Sequence, residues 1–172
     1  VRALEALLAA GANVHAQDAA GANALHLACA AETPRLDLVR DLRELGVDPH
    51  APDAHARSAL DVAIAAGRWT LVAALDPKRP LPVSLQDDDA AQVERPPQVL
   101  LRERLLEGAA ETELAALAAL LGARDLEALL HDDAVIADPG RLDWLLRHGA
   151  QPEAPDPTGQ TPLWRLLARG ED

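Results

Sequence analysis

The chain has 172 residues, 49% of them hydrophobic, and carries a net charge of −12. That is enough apolar material for a buried core. That acidity argues against binding to nucleic acid or to an anionic membrane surface, which needs clustered Lys and Arg. Phe, Tyr and Met are absent, so the core must be built from Ala, Leu and Val, which suits closely packed helices rather than strands. No apolar run is long enough to span a membrane. The single cysteine, Cys29, forbids an internal disulfide and fits a reducing, cytoplasmic setting.

In chain order, Leu4, Leu7 and Leu8 share one face of a helix that stops before Gly11. Residues 11–18 then read GANVHAQD, and the same octet returns as GVDPHAPD at 46–53 and GAQPEAPD at 149–156. The first two closing Asp residues, Asp18 and Asp53, are 35 apart, and Asp156 follows 103 residues later, close to three such periods. A period in the thirties marks stacked supersecondary units. After each Asp comes a polar residue, a small residue and Leu: Asn23-Ala24-Leu25, Ser58-Ala59-Leu60 and Thr161-Pro162-Leu163. Asn, Ser and Thr cap helix N-termini, and Pro162 stands at a first helical position where proline is tolerated. Each unit is therefore a turn, a capped helix, a short link and a second helix, such as the one carrying Leu142, Leu145 and Leu146.

Residues 76–97 are rich in Pro and Asp and are read as an irregular insertion, since prolines inside a helix break it. Beyond them, helices are expected over residues 99–107, 111–121 and 125–131, with stripes at Leu114, Leu117, Leu120 and Leu121 and at Leu126, Leu129 and Leu130.

These features together resemble the ankyrin repeat family. The matching residues are Asp18, Gly21, Leu25, His26 and Ala28, then Asp53, Leu60, Ala63, Gly67 and the helix at 71–75, then Asp156, Gly159, Thr161, Pro162 and Leu163. The resemblance covers residues 1–75 and 140–170. It implies an all-α, ankyrin-repeat helical solenoid: repeats over 1–75, the insertion at 76–97, divergent ankyrin-like helix pairs with lost turns over 98–148, and the start of a further repeat over 149–172. A continuous solenoid is expected, with two short stacks hinged at the insertion as the alternative. The absence of Met and the unfinished half-repeats at either end suggest a piece of a longer protein, and the Ala, Leu, Arg and Asp bias suggests a bacterial genome.

No catalytic chemistry is expected. Ser58 is used as a cap, and Ser84 has no His nearby in sequence. Cys29 and His26 are three apart on a helix and could form a reactive pair. The resemblance instead implies that His26 bonds the neighbouring turn and that Cys29 packs. His15 and His50 recur at one octet position, which the repeat itself explains without a metal. Asp87, Asp88 and Asp89, and Asp132 and Asp133, lack a calcium-loop pattern and are read as solvated charge. The chain is thus read as a non-enzyme with no cofactor or metal.

Trp144 is expected in the core, while Trp69 and Trp164 could be core or contact. In the ankyrin family the turns and first helices form the partner-binding surface. Carried over, this assigns Asn23, His55, Arg57, Arg68 and Trp69 to contact with a protein partner. The alternative is a regulatory or targeting module of a larger enzyme or secreted effector.

Overall fold

The Ala- and Leu-rich segments fold locally because each has a stop and a start written beside it. Asn23 accepts N–H bonds from Leu25 and His26, and Ser58 accepts one from Asp61, whose carboxylate bonds back to the Ser58 N–H. The computed structural model describes residues 2–81 and 94–169. Among these the regular structure is helical throughout, in eleven helices, and no strand occurs. Most of the insertion expected at 76–97, including Ser84 and the three consecutive aspartates, lies outside the described residues.

The chain divides into two compact units, Val1–Pro96 and Pro97–Asp172. The first holds α1 (Arg2–Ala9), α2 (Ala24–Ala30), α3 (Leu36–Glu44), α4 (Ala59–Ala65) and α5 (Trp69–Leu75). Helices α2 and α3 pack as one pair and α4 and α5 as the next. The pairs then lie side by side, α2 on α4 and α3 on α5. Buried alanines Ala28, Ala59 and Ala63 let α2 and α4 approach closely, and Leu25, Val39, Val72, Leu75 and Trp69 fill the space between layers.

The second unit holds α6 (Pro97–Glu107), α7 (Glu111–Ala118), α8 (Ala123–Leu129), α9 (Asp133–Ile136), α10 (Pro139–Arg147) and α11 (Pro162–Arg169). Helix α6 packs against α7, α8 and α9, and α10 against α8 and α9. Leu100, Leu101, Leu117, Leu130, Val135 and Leu145 form its core. The expectations for this half need three corrections. Pro97, assigned to the insertion, is the first residue of α6, a position where proline loses no intrahelical bond. Helix α7 ends at Ala118 rather than 121. Asp132 is not free solvated charge: its carboxylate caps α9 through the N–H groups of Ala134 and Val135 and pairs with Arg102 at 2.5 Å. The Arg102 hydrogen bond, above all, holds the Asp132 carboxyl below its usual range.

Candidate functional site

The three recurring Asp residues build one turn three times. Asp18 Oδ1 accepts the N–H groups of Ala20 at 2.8 Å and Ala22 at 2.9 Å. Asp53 Oδ1 accepts those of His55 at 2.8 Å and Arg57 at 2.9 Å, and Asp156 Oδ1 those of Thr158 and Gln160 at the same distances. The backbone closes each turn identically, with Asp53 N–H donating to Arg57 O at 2.8 Å and Ala56 N–H to Asp53 O at 3.0 Å. The residue three after each Asp has positive φ. It is Gly21 at 73° and Gly159 at 84°, but Ala56 at 58° in the second turn.

Neighbouring turns in the first unit are joined edge to edge. Ala54 N–H donates to Ala20 O at 2.8 Å, and a Cβ on Gly21 would lie 3.3 Å from Ala54 N. His26 reaches across as well. Its Nε2 must carry the proton, since it meets a carbonyl, Arg57 O, at 2.9 Å. Asn23 Nδ2 donates to Asp48 O at 3.0 Å, tying the first turn's helix to the second octet.

Of the five residues assigned to partner contact, His55 and Arg57 are exposed at the second turn. Arg57 is anchored by Asp53 Oδ2 at 3.0 Å and leaves 59% of its side chain in solvent. The Arg57 N–H, first among several donors, holds the Asp53 carboxyl down at about 2. The other three do not join them. Asn23 is buried as a cap and tether. Trp69 is 1% exposed, and its Nε1–H donates to Arg95 O at 2.9 Å. Arg68 is 12% exposed, paired with Glu94 and donating to the Cys29 carbonyl. All three are buried or largely buried within the fold.

The exposed tryptophan is Trp164, at 67%, beside Leu163 and Leu167 on α11. The sequence left Trp164 open; the i, i+4 pair Leu163 and Leu167 was the signal for an apolar stripe. Trp144 is buried, donates to Glu111 Oε2 at 2.7 Å and stacks on His148 at 3.9 Å. A second surface feature lies beside the third turn. A cleft of about 630 Å³ there is lined by Arg124 and Glu127 of α8, His131 just beyond that helix, Pro157 and Arg165. Arg124 and Glu127 lie at i and i+3 of α8, a helical face hidden in the sequence behind the leucine stripe. Pro157 occupies the place of Ala54 and has no N–H to offer a neighbouring turn.

The pair Cys29 and His26 is not a reactive one. Burial pushes the Cys29 thiol up to about 11, Arg68 drawing it back only in part, and both His26 nitrogens face backbone groups. Among the described residues no group of three His, Cys, Asp or Glu side chains is placed to hold a metal ion, and no helix is long and apolar enough to cross a membrane. Comparison with protein-family models gives no match, and comparison with curated proteins gives none either.

Proposed function

We propose that this chain is an ankyrin-type scaffold that binds a protein partner through its Asp turns and the helices that follow them. One observation carries the reading most of the way. Two turns of identical hydrogen bonding sit edge to edge, joined by Ala54 N–H to Ala20 O, with His55 and Arg57 outside them. Such an array presents side chains on a rigid frame at fixed spacing, so little conformational entropy is lost when a partner docks. Arg57 is the natural anchor, since Asp53 already holds its guanidinium in place with more than half its surface open.

Among the described residues, two side chains suited to chemistry are committed elsewhere. The Ser58 hydroxyl closes a cap with Asp61, and the Cys29 thiol is buried and hard to ionise. That supports a non-catalytic reading, with cytoplasmic placement as its natural setting.

The test is selection of ligands from a random peptide-display library on the immobilised chain, followed by affinity measurement on the H55A/R57A double variant. The selected ligands should lose at least tenfold in affinity while the far-ultraviolet circular dichroism stays unchanged. Ligands that bind both proteins equally would remove the turn face from consideration.

A further inference from the structure

Three consecutive residues at the start of α5 grip a distant stretch of the same chain. Gly67 O accepts the Arg95 N–H at 3.2 Å, Arg68 Nε pairs with Glu94 Oε1 at 2.9 Å, and Trp69 Nε1–H donates to Arg95 O at 2.9 Å. Gly67 is there for closeness as well as for its φ of 68°. A Cβ at this position would lie 2.1 Å from the Arg95 carbonyl carbon and 2.4 Å from Pro96 N.

The two sides of this contact differ in kind. The receiving corner is fixed by other bonds: the Trp69 ring is packed in the core, and Arg68 is held by the Cys29 carbonyl at the end of α2. The strap, residues 94–96, is more open to solvent than the corner it covers. Glu94 is 54% exposed along its side chain, and Arg95 and Pro96 are half-buried. What the corner reads is the N–H and C=O of one extended residue, a carboxylate before it and a proline after it. Pro96 suits that last place twice over. It has no N–H to leave unpaired against Gly67, and it biases Arg95 toward the extended backbone that the contact needs. Main-chain bonds with one charged and one shape-selected side chain are how folded domains bind extended segments of other proteins.

We propose that the Gly67–Trp69 corner is a recognition site for an extended acidic-X-Pro segment of a partner protein, occupied in this chain by its own residues 94–96. The strap is then an intramolecular competitor. Its high effective concentration masks the corner, and a partner gains access when the strap is drawn away. This site is separate from the turn face and does not require it.

The experiment uses the full ¹⁵N-labelled chain, following the Trp69 indole cross-peak as a synthetic peptide of sequence QVERPPQ is added. In the E94A/R95P variant the strap loses its carboxylate and its N–H donor. That variant should bind the peptide at least tenfold more tightly than the parent chain, with E94A alone between the two. Adding R68A to the double variant should return the affinity to the parental level, whereas adding H55A/R57A should leave it unchanged, which keeps this outcome independent of the turn face. Equal affinity for parent and E94A/R95P, or indifference to R68A, would overturn the proposal. So would loss of helical circular dichroism in E94A/R95P, because the strap would then belong to the core.

Discussion

Ala56 stands where its two counterparts are glycine, and its φ of 58° is left-handed. An L-residue there costs about 1–2 kcal/mol, against about 0.5–1 kcal/mol of extra chain entropy that glycine loses on folding. Ala56→Gly should therefore raise stability, by about 0.5 kcal/mol, read as a higher urea midpoint with an unchanged slope. The substitution leaves the Asp53 hydrogen bonds to His55 and Arg57 in place, so turn geometry serves as its internal control. The turns were legible in the sequence at this scale because everything that makes them lies within four residues: Asp, two N–H donors and a residue tolerant of positive φ. Trp69 was not. Its ring is buried in the folded chain, and its one polar atom is satisfied 26 residues away at Arg95. Residue type alone, large and amphipathic, suits a core and a binding surface equally.

The capped helices were the readable elements, because Asn23, Ser58 and Pro162 announce starts and the leucines keep helical spacing. Helix α9 escaped notice since four residues are too few to show a period, and its cap, Asp132, looks in sequence like one of two adjacent charges. Helix α6 began earlier than expected because Pro97 reads as a breaker until its place at a helix start is known. That helix also shows where the second unit's stability lies. Leu101 is fully buried on a helix that packs against α7, α8 and α9. Leu101→Ala should cost about 3 kcal/mol, from lost transfer energy and the cavity left behind. A urea melt of the full chain, followed by circular dichroism, should show the transition shifted to lower denaturant. A shift corresponding to less than about 1 kcal/mol would mean that α6 closes around the gap.

Taken as a whole, the molecule is acidic, yet several of its carboxylates are worth most when ionised. Asp53 is held at about 2 by the Arg57 and His55 N–H groups and the Arg57 guanidinium, while Asp132 and Asp156 are also lowered, chiefly by bonds from Arg102 and the Thr158 hydroxyl. A carboxyl with a lower pKa folded than unfolded stabilises the fold fully above its unfolded value, near 4. That contribution fades as pH falls from about 4 toward 2. The melting temperature should hold level through neutral pH and fall across that window, and in Asp53→Asn the fall should be shallower from a lower plateau. A melting temperature flat down to pH 2 would contradict the geometry of the turns.

Sequence alone was enough to show that the chain is helical, where its Asp turns and the Asn23 and Ser58 caps stand, and that Leu114, Leu117, Leu126, Leu129 and Leu145 lie inside, although Leu7 and Leu146 of the same kind of stripe are exposed. Each of these follows from bonds or periodicities spanning a few residues. The packing of the folded chain was needed to see that Trp69 is interior and Trp164 exposed, that Asp132 both caps α9 and pairs with Arg102, and that Gly67 must lack a side chain to admit Arg95. Those facts depend on groups 26 to 30 positions apart being brought within bonding distance, as in Trp69 with Arg95 and Arg102 with Asp132. Local rules carry no information about such meetings, because burial and charge pairing are properties of what the folded chain places nearby.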